Sequence, residues 1–83
     1  MKNTIIGYRK FRSKAGKDCC IVTIVREGTP NDVAHGLVGM VAEEVFIPEN
    51  CHSLINESVL DKQLIMEHSV VGNRAYLKNI EIM

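Results

Sequence analysis

The chain is poor in aromatic residues: its 83 residues include no Trp, two Tyr and two Phe. A hydrophobic core must therefore be built mainly from Ile, Val, Leu and Met, and the β-branched members of that set favour strands. The chain has two prolines and six glycines, which excludes a collagen-like or Pro/Gly-rich low-complexity chain. With 46% hydrophobic residues, the composition is that of a globular domain and not of a disordered segment.

Other features are absent as well. Three cysteines, two of them adjacent, do not make the disulfide framework of a small secreted domain. No apolar run approaches the roughly 18–20 residues of a membrane-spanning helix, and no signal-peptide core precedes Tyr8 and Arg9. The Cys and His residues lack the C-x-x-C and H-x-x-x-H spacings of zinc ligands. We therefore expect one cytoplasmic domain spanning residues 1–83, with reduced thiols, no membrane contact and no metal or other cofactor.

Catalytic motifs are also missing. Glu43 and Glu44 are neighbours in a predicted strand, where adjacent side chains point to opposite faces, so they make a poor acid–base pair. The sequence holds no nucleophile elbow, phosphate-binding loop or dinucleotide fingerprint. We therefore expect neither an enzyme nor a small-molecule substrate.

Acidic residues are missing from the beginning of the chain. Six of the ten Lys and Arg residues lie in the first 17 positions, where there is no Asp or Glu. The other 66 positions hold four cations and ten acids, so a neutral total hides a strongly basic amino-terminal segment. Such an asymmetry indicates an anionic partner.

Strand patterns dominate the chain. The segments with strand composition are residues 4–12, 18–26, 37–47, 62–71 and 74–83. Gly7 predicts a bulge in the first strand, and Gly72-Asn73 predicts a two-residue turn before the last. Residues 27–32 have loop composition, and 51–61 carry the helical spacing of one short helix between strands three and four. This order predicts an all-β, five-stranded Greek-key barrel of the oligonucleotide/oligosaccharide-binding (OB) type, with an SH3-like barrel as the alternative.

The first predicted strand combines cations with aromatic rings. In an extended chain alternate residues share a face. One face then carries Tyr8, Lys10, Arg12 and Lys14. The opposite face carries Arg9 and Phe11. Cations that meet phosphates, beside rings on which bases stack, are what single-stranded nucleic acid requires. The alternative is a solvated edge strand whose lysines discourage aggregation.

The last predicted hairpin carries a second group of the same kind. Arg74, Tyr76 and Lys78 follow the turn on one face, where they either contact nucleic acid or leave Tyr76 to close the barrel beside two solvated cations. The candidate nucleic-acid contacts are Tyr8, Lys10, Phe11, Arg12, Lys14, Lys17, Arg74, Tyr76 and Lys78.

Two stretches resemble a known family. Arg12-Ser13-Lys14-Ala15-Gly16-Lys17, which runs into an apolar strand, is similar to the DNA-binding wing of the filamentous-phage helix-destabilising proteins. The glycine-turned hairpin 70–82 is similar to the hairpin that closes their domain. The resemblance implies a small OB-like barrel that forms two-fold dimers and coats single-stranded DNA cooperatively, without sequence preference.

The resemblance also implies roles for individual residues. It assigns phosphate contacts to Arg12, Lys14 and Lys17, and a contact with DNA or with a neighbouring dimer to Arg74. The phage proteins carry a stacking aromatic soon after the wing, where this chain has Asp18-Cys19-Cys20. Stacking would then fall to the available rings, which are Tyr8, Phe11 and Tyr76.

The sequence thus predicts a non-catalytic protein that coats single-stranded DNA as a homodimer, serving DNA replication in a phage or mobile element. Two alternatives stay open. One is a small β-barrel that binds another protein through a strand edge or through the acidic residues Glu43, Glu44 and Glu49. The other is a barrel that binds RNA.

Overall fold

Five strands make up most of the protein, for which a computed structural model describes residues 2–83. The strands are β1 (Thr4–Arg12), β2 (Asp18–Glu27), β3 (Met40–Phe46), β4 (Leu64–Val71) and β5 (Arg74–Ile82). The first three form one antiparallel sheet in the order β1-β2-β3, and β4 and β5 form an antiparallel hairpin. The predicted all-β class is confirmed.

The predicted closed barrel is not formed within residues 2–83. The two sheets meet where the start of β1 lies beside the segment that leads into β4. There the Ile5 amide donates to the Lys62 carbonyl at 2.8 Å, and the Leu64 amide donates to the Asn3 carbonyl at 2.8 Å. No ladder of the described chain joins β3 to β4 or β5. After β3 the chain turns away at Pro48 and covers the core, so β3 stays a free sheet edge.

The helices also differ from the prediction of at most one, between the third and fourth strands. Two 3-10 helices, Glu49–Leu54 and Glu57–Val59, occupy that connection. A short helix, α1 (Pro30–Ala34), lies between β2 and β3, where the composition predicts a loop. A capping box starts it: the Asp32 amide donates to Thr29 Oγ1 at 3.2 Å, and the Thr29 amide donates to Asp32 Oδ2 at 2.8 Å.

The hydrophobic core lies between the two sheets. Its buried side chains are Ile5, Cys20, Val22, Ile24, Ile47, Cys51, Ile55, Val59, Leu64 and Ile80. The connection between β3 and β4 supplies four of them, from Ile47 to Val59. This irregular segment is therefore a wall of the core, which explains why the chain buries a core without closing a barrel.

The start of α1 makes part of the stability sensitive to acid. Hydrogen bonds from the Thr29 amide and hydroxyl, and then from Arg26, lower the pKa of Asp32 below its ordinary value of 3.8. A carboxyl whose pKa is lower in the folded state adds stability at neutral pH, and this is lost as the pH falls below about 4 towards the folded-state pKa.

We expect Asp32→Asn to lower the free energy of unfolding at neutral pH, because the charged partner of Thr29 and Arg26 is lost. We also expect a shallower fall in stability than in the wild type between about pH 5 and about pH 3. Urea denaturation across this range measures both. Parallel acid profiles for the two proteins would contradict the assignment to Asp32.

Candidate nucleic-acid interface

The closed end of the β1–β2 hairpin is a hydrogen-bonded loop, residues 13–17. The Ser13 amide donates to the Lys17 carbonyl at 2.8 Å, and the Gly16 amide donates to the Ser13 carbonyl at 2.9 Å. The Lys17 amide donates to Ser13 Oγ at 3.2 Å. Gly16 has a φ of 80°, which a residue with a side chain rarely adopts. The loop therefore has a defined shape that holds the exposed Lys14 and Lys17 at the tip of the hairpin.

The register of the hairpin distributes the side chains of β1 over two faces, as alternation predicts. Directly paired residues of antiparallel strands share a face. On the face that carries the core, the pairs are Tyr8–Val22, Lys10–Cys20 and Arg12–Asp18. On the opposite face the pairs are Arg9–Ile21 and Phe11–Cys19. Lys10 and Arg12 thus lie on the core-side face, towards the hairpin tip, while Arg9 and Phe11 lie on the opposite face.

The cations of the hairpin have weak acidic partners or none. Arg12 Nε lies 3.4 Å from Asp18 Oδ1, and Arg9 Nη2 lies 3.8 Å from Glu44 Oε2. All four side chains are exposed, and such pairs contribute only about 0–1 kcal/mol, so an anionic ligand displaces them at little cost. Within residues 2–83, the hairpin cations without an ion pair are Lys10, Lys14 and Lys17.

The three candidate rings differ in their exposure. Tyr8 packs its ring against the core and presents only part of it to solvent. Phe11 is 40% exposed, and the guanidinium carbon of Arg9 lies 5.4 Å from the centroid of its ring, a cation–π contact. Tyr76 is 50% exposed. Phe11 and Tyr76 are therefore the rings that are open to a ligand.

The second group of candidate residues lies on the β4–β5 hairpin. Its turn is the predicted one, since Val71 pairs with Arg74 and Gly72 has a φ of 61°. Arg74 and Tyr76 are exposed, and Lys78 Nζ lies 3.8 Å from Glu67 Oε1. Across residues 2–83, no side-chain hydrogen bond or ion pair links this group to the β1–β2 hairpin. The structure therefore presents two groups that are not joined by direct contacts.

Phe46 is an exposed ring that the sequence pattern does not single out. It ends β3, it is 68% exposed, and it pairs with Ile21 on the face of the sheet that also carries Arg9 and Phe11. Ile21 is only 3% exposed but lies outside the core cluster. The sequence feature that points to this face is the apolar character of both sides of β2. It predicts that a loop or a partner subunit covers the side away from the core.

A groove of about 360 Å³ lies beside the hairpin. Its lining residues are Lys10, Phe11, Asp18, Cys19 and His52.

Burial raises the pKa of the neighbouring Cys20 thiol, against the opposing effect of the Lys10 charge, so this thiol stays protonated at neutral pH. In the described part of the chain, no group of three or more His, Cys, Asp or Glu is placed to hold a metal ion.

Comparisons with known proteins add no relative. No family model matches the chain, and neither a curated protein nor a solved structure matches it significantly. Within residues 2–83, no helix has the length and apolar character to cross a membrane. The function is therefore inferred from the geometry and charge of the molecule itself.

Proposed function

We propose that the protein binds single-stranded DNA through the β1–β2 hairpin, without catalysis and with little sequence preference. The observation that supports this most is the exposed set of Lys10, Lys14 and Lys17, which have no acidic partner in residues 2–83, on the hairpin that also carries the open ring of Phe11. Cations that neutralise phosphates provide affinity for any sequence. Ring stacking is similarly tolerant, because every base has a π-face.

The β4–β5 hairpin supplies a second contact in this proposal. Arg74 and Tyr76, both exposed, bind either DNA or a neighbouring copy of the protein. An OB-like relationship and a role in replication of a phage or mobile element belong to the same proposal, and they rest on the resemblance of residues 12–17 and 70–82 to the phage proteins. A two-fold dimer is also part of it, and it is motivated by the two apolar faces of residues 21–25 and by the small size of the domain as well as by that resemblance.

A second candidate function, protein binding, is favoured by the free edge of β3. Its backbone is paired on one side only, and two exposed apolar side chains lie at its start, Met40 as its first residue and Val38 just before it. Unpaired strand edges accept a further strand from a partner. An acidic docking face is less favoured, because Glu43 Oε1 lies 2.8 Å from Arg26 Nη2 and Glu44 is weakly paired with Arg9. Of the three predicted acids, Glu49 alone has no ion pair within residues 2–83.

A gel shift with labelled oligo(dT), repeated at two salt concentrations, tests the proposal. We expect a shift at low salt that weakens at high salt, because counterions released from the phosphates oppose binding as salt rises. Oligo(U) and duplex DNA of the same length serve as competitors. A stronger competition by oligo(U) would transfer the proposal to RNA, and the absence of any shift at low salt would favour the protein-binding alternative.

A further inference from the structure

The face of the β1–β2–β3 sheet that points away from the core, which we call the outer face, carries two open rings. The strand registers align Arg9 of β1, Ile21 of β2 and Phe46 of β3 in one row across the sheet. Phe11 lies two residues from Arg9 along β1 and therefore on the same face. The outer face thus presents an aromatic side chain on each of its two border strands.

The apolar centre of this face is separate from the hydrophobic core. Ile21 is buried, yet it is not part of the cluster formed by its neighbours Cys20 and Val22. In the strand register Ile21 lies directly beside Phe46 of β3 and diagonally across from Phe11 of β1.

We propose that Phe11 and Phe46 form a two-ring stacking surface for the bases of a single-stranded nucleic acid. This inference rests on the proposed function and extends it from the hairpin cations to the outer face. Phe11 and Phe46 are two strands apart, at about 4.8 Å for each spacing, and two residues apart along the strand direction, at about 3.3 Å for each residue. These two offsets place their Cα atoms roughly 12 Å apart. At that separation the rings do not stack on each other, so each receives a base of its own.

The charges around the rings favour a nucleic acid as the occupant. Arg9 lies in the row of Phe46 and contacts the ring of Phe11, and β1 continues from there to the cationic loop 13–17. The adjacent row on the side away from the loop 13–17 contains Glu44 paired with Thr23. The Glu44 carboxylate would repel phosphate there. The strand of nucleic acid therefore runs from the loop over Phe11 to Phe46. A second copy of the protein on this face would instead bury the exposed Arg9–Glu44 ion pair, and removing two charges 3.8 Å apart from water is costly.

The variant Phe46→Leu tests the inference, because Leu keeps the apolar contact with Ile21 and removes the π-face. Binding is measured with oligo(dT) and with an abasic oligonucleotide of equal length, which keeps the phosphates and lacks the bases. We expect the variant to bind oligo(dT) about fivefold or more weakly than the wild type, and to bind the abasic chain with unchanged affinity. Leu60→Ala, an exposed apolar truncation outside the outer face, is the control and should match the wild type on both oligonucleotides.

Each other outcome overturns the inference in a distinct way. A wild-type protein that does not bind oligo(dT) removes the proposed function together with the stacking surface. Unchanged binding of oligo(dT) by Phe46→Leu removes only the stacking surface, and equal losses on both oligonucleotides show that Phe46 does not contact bases. If sedimentation shows a wild-type dimer that Phe46→Leu dissociates without loss of oligo(dT) affinity, the outer face binds a second copy.

Discussion

We expect replacement of Arg12, Lys14 and Lys17 by Ala to abolish the proposed binding of single-stranded DNA and to leave the protein folded. The loop 13–17 is held by hydrogen bonds of the backbone and of Ser13 Oγ, none of which uses these three side chains. Arg12 contributes one exposed ion pair with Asp18, which adds little to stability. Three solvent-exposed contacts with phosphate, at about 1–1.5 kcal/mol each, account for an affinity loss on the order of 100- to 1,000-fold.

The triple variant is assayed by fluorescence anisotropy with labelled oligo(dT), and its fold is checked by circular dichroism. Lys62→Ala is the control, because it removes a positive charge from the segment before β4 and not from the hairpin. It should bind nearly as well as the wild type. A folded triple variant with wild-type affinity would show that DNA is bound elsewhere.

We expect replacement of Ile24 by Ala to remove a large part of the stability of the protein. Ile24 is fully buried near the middle of β2, the central strand of the three-stranded sheet. Truncation of a buried Ile to Ala costs about 2–5 kcal/mol. A domain of this size has a free energy of unfolding of only about 4–12 kcal/mol. We therefore expect the melting temperature to fall by roughly 10 °C or more.

Thermal and urea denaturation followed by circular dichroism measure this effect. Val38→Ala is the matched control, because Val38 is an apolar side chain that is 96% exposed. Surface truncations of this kind change the free energy of unfolding by less than about 0.5 kcal/mol. Equal stability losses in the two variants would contradict the placement of Ile24 in the core.

The parts of the fold that local patterns determine could be predicted from the sequence. The bounds of β1 and the two-residue turn before β5 follow from alternation and from Gly72. The apolar pattern predicts that β3 starts at Leu37, three residues before its actual start at Met40, because the pattern does not reveal the turn that precedes the strand. Gly36 and Gly39 both have a positive φ, 97° and 95°, which interrupts the extended chain before Met40.

Barrel closure could not be predicted in the same way. It depends on pairing between distant strand edges, and no local pattern reports whether β3 meets the last hairpin. The segment 47–59 has little strand character, but it supplies buried residues such as Cys51 and Ile55. Because this segment covers the core, the core is buried although the sheet is not closed. Helix α1 is not predicted by the sequence for a different reason, because Pro30, Asn31 and Asp32 are typical both of loops and of helix starts.

The candidate site was predictable where it depends on alternation within one strand. The division of β1 into a face with Lys10 and a face with Phe11 follows from a period of two. The exposure of Phe46 cannot be predicted from this period, because it depends on which other elements cover the outer face. The same holds for the distance between the β1–β2 and β4–β5 hairpins, which only tertiary packing determines.

The central claim is that cations of the β1–β2 hairpin bind the phosphates of a single strand. The affinity of the wild-type protein for oligo(dT), measured across a range of salt concentrations, tests it most directly. Three or four phosphate contacts predict a slope of about −2 to −3 when the logarithm of affinity is plotted against the logarithm of salt concentration. A slope near zero would contradict the claim.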